Sequence, residues 1–236
     1  MINVIGFDAD DTLWHNESLY HQAKEDLSRL MSEYEEPQEV KAHLDQIEVE
    51  NITYYGYGIK SFILSMIETA SQVSAGRVTA KEINAIIDIA KRMLTAPVDL
   101  VEGVEKTLAN LSSEYDLLLI TKGDQFEQER KIRLSGIAGY FRYLEVVGEK
   151  SADSYRSVLS KYNLEPTSFL MVGNSLRSDI LPVLKIGGRA VYIPNELTWF
   201  HEHAGHQEIG DLEYIELEHI TQLPDAIATN FFRENL

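Results

Sequence analysis

Two aspartates separated by one residue, Asp8 and Asp10, follow directly on an apolar run near the start of the chain. The run over residues 4–7 is typical of a buried strand, so the two carboxylates are expected where that strand ends. Ligands of open α/β sheets bind just beyond the carboxyl ends of the strands. Two acids at such a point can hold a divalent cation and leave one oxygen free to attack. They would repel each other without a cation or substrate, so the pair indicates chemistry rather than packing.

Three further apolar runs later in the chain also end in polar residues. These residues are Thr121 after the run 117–120, Lys150 shortly after 143–147, and Gly173, Asn174 and Asp179 after 168–172. Each lies where a parallel sheet presents its loops. One such strand end would be commonplace, but four of them in one chain are hard to assign to chance.

The elements that must position these residues follow from the hydrophobic periodicity. Residues 2–9 predict a strand, and from about 16 to 95 apolar residues recur at helical spacing in four segments. Pro37 is expected to begin the second helix, and Thr79 with Glu82 predicts a cap on the fourth. Four amphipathic helices in a row predict a small helical bundle.

After Pro97 the pattern changes to strands that alternate with helices. The predicted strands are 117–120, 143–147, 168–172, 190–193 and 214–217, and the predicted helices are about 103–113, 124–134, 151–162 and 176–186, with a short one at the end. We therefore predict an α/β fold with a Rossmann-like parallel sheet, helices on both faces and an inserted α-helical bundle. The predicted domains are a catalytic core, 1–14 and 97–236, and a helical cap, 15–96.

The composition limits which binding partners and which kinds of site the protein can have. The 38 acidic and 21 basic residues give a net charge of −17, which disfavours nucleic acid polymers and anionic membranes. The chain has no cysteine, so disulfides, thiolate metal sites and cysteine nucleophiles are excluded. Neither a secretion signal nor a long apolar span is recognised, and we expect a cytoplasmic protein. The sequence predicts no oligomeric state.

The ordered strand ends resemble the four signature motifs of the haloacid dehalogenase (HAD) superfamily. The matching residues are Asp8, Asp10 and Thr12, then Thr121, then Lys150, and finally Gly173, Asn174 and Asp179. A helical insertion between the first and second motifs resembles the cap of one HAD subclass. The chain departs from the pattern at Asn174, where many relatives carry an acid, and this shifts metal binding toward Asp179.

The resemblance implies a role for each residue type. Asp8 would attack a phosphoryl group and form an aspartyl-phosphate, and Asp10 would protonate the leaving oxygen and then help to activate water. Thr121 and Lys150 would hold the phosphate oxygens. Mg²⁺ would be held by Asp8, the Asp10 backbone carbonyl, Asp179 and, directly or through water, Asn174.

Asp10 also distinguishes the phosphatases of the HAD superfamily from its dehalogenases. Dehalogenases displace a halide, which needs no proton, and they lack an acid two residues after the nucleophile. We therefore expect a Mg²⁺-dependent phosphatase that acts on a small phosphorylated metabolite. The alternatives are a phosphotransferase or mutase on the same scaffold, and a catalytically silent protein that binds phosphate esters, for which Asn174 is the main support.

Several neighbouring residues have two interpretations. Lys131 and Lys161 are alternatives to Lys150, although Lys161 should point away on its helix. Lys122 either reaches a phosphate or faces water. Asp11 is expected to hydrogen-bond locally, and Thr12 to support the loop.

In the predicted cap, Tyr57 lies in an aromatic and glycine-rich stretch, 54–58, and Lys60 follows it; both either select the substrate or belong to an ordinary loop. Residues 14–17 lead into the cap and either contact substrate or only fix the connection. The histidine-rich stretch 199–206 resembles a metal site, but it lacks the His-Glu-x-x-His spacing, and an exposed loop is the preferred interpretation.

Overall fold

The protein was examined as a computed structural model that describes residues 2–197, 199, 202 and 212–229. The strands are β1 Val4–Phe7, β2 Asp116–Lys122, β3 Tyr143–Val147, β4 Phe169–Gly173, β5 Arg189–Tyr192 and β6 Ile215–Glu216. In the described part of the chain they form one six-stranded sheet in the order β3-β2-β1-β4-β5-β6, and every pair is parallel. The predicted α/β fold class is confirmed.

The helices lie close to their predicted positions. They are α1 Glu17–Leu30, α2 Pro37–Tyr55, α3 Ile59–Val73, α4 Ala80–Thr95, α5 Val104–Leu111, α6 Gln125–Leu134, α7 Ala152–Lys161, α8 Leu181–Lys185 and α9 Leu223–Ala228. A helix occupies the predicted segment 176–186, but its first half, Leu176–Ile180, is a π-helical turn. Pro182 lies in the first turn of α8 and cannot donate a backbone hydrogen bond, so a regular helix through this segment would lack one of its bonds.

Both faces of the sheet are buried, as a parallel sheet requires. Alternate residues of the central strands point to opposite sides: Ile5 and Phe7 join one apolar cluster, and Val4 joins another. The first cluster includes residues of α5, α6 and α9, and the second includes residues of α7 and α8. Gly6 leaves room for a neighbouring ring, because a Cβ there would lie 2.5 Å from Phe169.

The strand register brings the predicted site residues to one edge of the sheet. Phe7 pairs with Leu119 of β2 and with Val172 of β4, so all three strands approach their carboxyl ends together. The Asp8 backbone N–H donates to the Val172 carbonyl at 2.9 Å. The first acid of the pair is therefore fixed between the ends of β2 and β4.

The contacts divide the chain into two compact units. The core unit comprises the described residues within Met1–Glu17, Val98–Lys122 and Gln128–Leu236, and the helical unit comprises Ser18–Pro97 and Gly123–Glu127. The helical unit has its own apolar core, which includes Leu27, Leu44, Phe62, Met66 and Ile86. Its α4 begins with the predicted capping box, in which the Thr79 hydroxyl accepts from the Glu82 backbone and the Glu82 carboxylate accepts from Thr79.

The segment Gly123–Glu127 was not expected in the helical unit. It belongs there because the Glu127 carboxylate accepts from the Ile59 backbone N–H at 3.0 Å and Asp124 pairs with Lys60 at 2.8 Å. The domain bounds given above from the sequence, 15–96 for the helical part, stay a prediction.

Candidate active site

Asp8 lies at the centre of the polar cluster on the carboxyl edge of the sheet. Its side chain is buried, accepts from the Thr12 hydroxyl at 3.0 Å and forms an ion pair with the Lys150 ammonium. Burial raises the pKa of Asp8 to about 7, because the nearby Asp179 carboxylate adds to the desolvation and Lys150 offsets only part of both. The cluster therefore contains more negative charge than its own lysine compensates.

Lys150 connects two of the predicted acids. The residue is 3% exposed, and its ammonium contacts both Asp8 and, at 2.7 Å, Asp179. Burial alone would lower the pKa of this lysine, but the two carboxylates outweigh it and hold the pKa above its ordinary value. Lys161 pairs with Glu145 on the surface instead, as its predicted orientation requires. Lys150 is thus the lysine that faces Asp8.

Asp179 reaches this cluster from the π-helical turn. The second oxygen of its carboxylate accepts from the Ser175 backbone N–H at 3.0 Å. A Cβ on Gly173 would lie 2.3 Å from the same carboxylate, so this approach requires glycine at the end of β4. The turn begins at Ser175, whose hydroxyl accepts from the Ser178 backbone N–H.

Tyr155 holds the π-helical turn from the neighbouring helix α7. Because Pro182 has no N–H, the Ser178 carbonyl cannot receive the helical bond that a residue at 182 would normally donate. The buried Tyr155 hydroxyl donates to this carbonyl at 3.1 Å. Sequence reasoning did not identify Tyr155, although Pro182 inside a predicted helix signals a carbonyl that needs another partner.

Asn174 lies beside Asp8 on the other side of Thr12. The Thr12 hydroxyl is 3.0 Å from an Asp8 carboxylate oxygen and 3.3 Å from the Asn174 amide oxygen, so its one proton serves both. Asp8, Asn174 and Asp179 thus all present oxygen atoms in one small region. Thr12 contacts the Asp8 carboxylate itself, beyond the loop-supporting role expected of it.

Asp10 faces a different set of partners from Asp8. Its carboxylate accepts from Trp14 Nε1 at 2.6 Å, from Gln128 Nε2 at 2.9 Å and from the Lys131 ammonium at 2.7 and 2.8 Å. Burial acts to raise the pKa of Asp10, but Lys131 and these hydrogen bonds outweigh it and hold the pKa below its usual value. Asp10 is therefore a carboxylate in this arrangement.

Thr121 is connected to Asp10 through Gln128. The buried Thr121 hydroxyl lies 2.8 Å from Gln128 Nε2, the same nitrogen that donates to Asp10. Sequence reasoning identified neither Gln128 nor the contact of Lys131 with Asp10. Their spacing of three residues places them on one face of α6, but periodicity alone does not show which polar group that face meets.

Lys122 is engaged by an acid far along the chain. Its ammonium donates to the Ser178 hydroxyl at 2.9 Å and forms an ion pair with the Glu202 carboxylate. The hydroxyls of Ser175 and Ser178 also donate to Glu202. Desolvation raises the pKa of Glu202, but Lys122 and these hydroxyls outweigh it and lower the pKa to about 2. Glu202 compensates the charge of Lys122 in this arrangement. That Lys122 binds a phosphate group stays a prediction.

The remaining predicted residues have contacts of their own. Asp11 hydrogen-bonds locally as expected, and its carboxylate accepts from the backbone N–H groups of Asn16 and Glu17. Lys60 pairs with Asp124 in the helical unit, and Tyr57 is half-buried in the same unit. Apart from Trp199 and Glu202, the stretch 199–206 lies outside the described residues, so its proposed metal site is not described.

The donor set fits a hard divalent cation. Asp8 and Asp179 supply carboxylate oxygens and Asn174 an amide oxygen, which are ligands that Mg²⁺ prefers. The raised pKa of Asp8 indicates that a further positive charge would be stabilised here. No group of three or more His, Cys, Asp or Glu side chains placed for a metal occurs among the described residues.

No helix among the described residues has the length and hydrophobicity needed to span a membrane.

Comparison with known proteins shows the class of the chain. A family profile described as haloacid dehalogenase-like hydrolase matches residues 2–187. The chain therefore belongs to the haloacid dehalogenase-like hydrolase family, as the order of its motifs indicated.

Particular relatives place it within that family. A haloacid dehalogenase-like family hydrolase from Xanthomonas campestris is 38% identical, with a TM-score of 0.85 over 97% of this chain and 91% of that one. A glyceraldehyde 3-phosphate phosphatase from Pyrococcus furiosus is 30% identical over 135 residues, 54% of this chain and 52% of that protein. The chain thus spans about half the length of this curated relative.

The fold is also shared with dehalogenases. The L-2-haloacid dehalogenase of Xanthobacter autotrophicus superposes with a TM-score of 0.68 over 97% of this chain and 99% of that one. Its sequence is only 15% identical, so this likeness concerns the fold alone.

Proposed function

We propose that the protein is a Mg²⁺-dependent phosphatase that hydrolyses a small phosphomonoester through an aspartyl-phosphate on Asp8. The main observation behind the proposal is that Asp8 and Asp10 have different contacts. Asp8 contacts Lys150 and Asp179, whereas Asp10, two residues later, has its own donors. Two carboxylates in different environments suit two different roles in one reaction.

In the first proposed step, an Asp8 carboxylate oxygen attacks phosphorus and the ester oxygen leaves. A protonated Asp10 donates its proton to that oxygen, so the products are the free alcohol and the acyl phosphate. The bound phosphate dianion would raise the pKa of Asp10 by repulsion, against the opposing effect of Lys131. Lys150 and Thr121 would hold the non-bridging oxygens while charge moves between them.

In the second proposed step, water attacks the phosphorus atom of the acyl phosphate. The Asp10 carboxylate accepts a proton from that water, the bond to Asp8 breaks, and inorganic phosphate and the free Asp8 carboxylate form. The lowered pKa of Asp10 means that it is ionised and can accept a proton in this step. Mg²⁺, held by Asp8, Asp179, Asn174 and the Asp10 carbonyl, would neutralise phosphate charge and lower the pKa of Asp8.

The relatives agree with this proposal in part. The Pyrococcus protein is a phosphatase of a small phosphorylated aldehyde, and it supports a phosphorylated metabolite as the substrate here. Tyr57 and Lys60 remain proposed substrate-selecting residues of the helical unit. The Xanthobacter enzyme supplies the competing reaction, in which a halide leaves without a proton.

A panel of phosphomonoesters assayed for phosphate release with Mg²⁺ tests the proposal, with Asp8→Asn as the blank. We expect turnover of some esters, a loss of at least about a thousandfold in Asp8→Asn, and loss of activity with a chelator. Absence of phosphate release together with halide release from a 2-haloacid would contradict the proposal.

Two further outcomes would support the alternatives. Acceleration by added sugar alcohols, with transfer of the phosphoryl group to them, would indicate a phosphotransferase. Tight binding of a phosphate ester without phosphate release would indicate a silent binding protein.

A further inference from the structure

The side-chain amide of Gln128 contacts both Asp10, the proposed acid, and Thr121, a proposed phosphate-binding residue. Its Nε2 is 2.9 Å from an Asp10 carboxylate oxygen, 2.8 Å from the Thr121 hydroxyl and 2.9 Å from the Lys122 carbonyl. The side chain is only 2% exposed. It is therefore a buried polar group whose contacts are to the proposed acid and to a proposed phosphate-binding residue.

The surroundings fix which way the amide faces. A carboxylate and a backbone carbonyl can only accept hydrogen bonds, so the flipped amide would place its oxygen against two other acceptors. The NH₂ group must therefore face Asp10 and the Lys122 carbonyl. Through this orientation, α6 holds the Asp10 carboxylate at a fixed position relative to the end of β2.

The same orientation also determines where the Thr121 hydroxyl can donate. Its oxygen lies next to the Gln128 N–H group, so its own proton must point away from that nitrogen. Within residues 2–197, 199, 202 and 212–229, no acceptor takes this proton. The hydroxyl is thus prepared to donate to a ligand oxygen, as a phosphate-binding group must.

A purely structural role explains Gln128 less well. Its carbonyl oxygen, Oε1, is buried and has no hydrogen-bond partner among the described residues. An unsatisfied buried acceptor is unfavourable for stability, and a catalytic role is one of the reasons for which a protein keeps such a group. An apolar side chain of similar size would avoid that penalty but would leave Asp10 and Thr121 without this donor.

We propose that Gln128 is a positioning residue that aims the Asp10 carboxyl at the leaving oxygen and the Thr121 hydroxyl at the transferred phosphoryl group. This inference rests on the proposed phosphatase function. Gln128 itself contacts neither group of the substrate. Its effect should therefore depend on how much the leaving group needs a proton.

The test compares Gln128→Met with the wild type on 4-nitrophenyl phosphate and on a simple alkyl phosphate. Nitrophenolate leaves without protonation, whereas an alkoxide requires a proton from Asp10. We expect kcat/KM to fall by about a hundredfold for the alkyl ester and by less than about tenfold for the aryl ester. The inhibition constant for inorganic phosphate should also rise, because Thr121 loses its orientation.

Gln46→Met is the matched control. Gln46 also donates to a carboxylate, that of Glu50 at 2.9 Å, but it lies on an exposed face of α2. This variant should leave the ratio of alkyl to aryl activity unchanged. In an Asp10→Asn background, Gln128→Met should no longer alter that ratio, because the group through which it acts has lost its proton.

An equal loss on both esters, or no loss, would overturn the role of Gln128 while the wild-type activity leaves the phosphatase proposal standing. A wild type that hydrolyses neither ester would overturn both. If circular dichroism shows that Gln128→Met is unfolded, Gln128→Leu replaces it. This variant also removes the donors and adds no charge beside Asp10, so the same selective loss on the alkyl ester is expected and an equal loss would refute the inference.

Discussion

At the scale of single residues, the site balances three carboxylates against two lysines in two separate groups. Lys150 lies between Asp8 and Asp179, and Lys131 lies against Asp10. The pKa values of Asp8 and Asp10, the two acids of the first motif, shift in opposite directions. The pKa of Asp8 is raised to about 7, whereas the pKa of Asp10 is lowered. The environment, rather than the residue type, decides their protonation.

The raised pKa of Asp8 predicts a pH-dependent penalty on stability in metal-free protein. Its pKa is about 7 in the folded chain and near 3.8 in the unfolded chain. Stability from this group is thus fully present below pH 4 and is lost as pH rises through 7. We expect Asp8→Asn to exceed the wild type in free energy of unfolding by about 1–2 kcal/mol at pH 8, and by less at pH 5.

Thermal unfolding at the two pH values, with a chelator present, measures this difference. Asp88→Asn is the control, since Asp88 is an exposed acid paired with Lys91 and should show no comparable trend. A wild type that gains stability over Asp8→Asn between pH 5 and pH 8 would contradict the assignment of the raised pKa.

At the scale of elements, the site depends on the carboxyl ends of four neighbouring strands, β3-β2-β1-β4, and on one irregular turn. The strands and helices were predictable because hydrophobic periodicity is local. The π-helical turn was not, because the apolar pattern continues through Pro182 and only the geometry shows where Tyr155 replaces the missing bond. π-turns of this kind often occur at functional sites.

Contacts over long sequence separations also escaped sequence reasoning. Lys150 could be chosen over Lys131 because it follows the third core strand, and the structure places its ammonium against Asp8. The pairing of Lys122 with Glu202 could not be predicted, because no local pattern relates a strand end to an acid 80 residues later. Charged residues show no periodicity that identifies their partners.

Gly173→Ala tests the close approach of the π-helical turn to β4. A Cβ at this position would lie 2.3 Å from the Asp179 carboxylate, so Asp179 must move away from Lys150. We expect kcat/KM to fall by about a hundredfold or more, with a higher Mg²⁺ concentration needed for half-maximal activity.

Gly139→Ala is the matched control for this prediction. A Cβ on Gly139 would meet no atom within 4 Å, so activity and Mg²⁺ dependence should stay as in the wild type. If Gly173→Ala has the same Mg²⁺ dependence as the wild type, the close packing of this turn is not needed to position Asp179.

At the scale of the whole molecule, the net charge of −17 opposes the binding of an anionic substrate. The lysines near the site do not cancel the repulsion that this net charge exerts on an anion, because Lys122, Lys131 and Lys150 each form an ion pair with an acid. Salt screens repulsion over distances beyond about 10 Å at 0.1 M. The long-range part of the repulsion should therefore be weaker at higher ionic strength.

We expect the KM for a phosphomonoester to fall by about two- to fivefold between 10 and 150 mM sodium chloride, with little change in kcat. Steady-state kinetics at constant Mg²⁺ measure the effect. Sodium acetate should give the same result, whereas sucrose at equal osmolality should not change KM. A KM that rises with salt would show that local cations, rather than the net charge, control substrate approach.

The central position of β1 has a consequence for the order in which the molecule can assemble. This strand is made first, yet its two neighbours in the sheet are Asp116–Lys122 and Phe169–Gly173. Pairing must wait until at least Asp116–Lys122 has left the ribosome, whereas the helices between β1 and β2 depend on contacts closer in sequence. During synthesis, Val4–Phe7 is thus an unpaired apolar segment, and the chain depends on avoiding aggregation until its middle is complete.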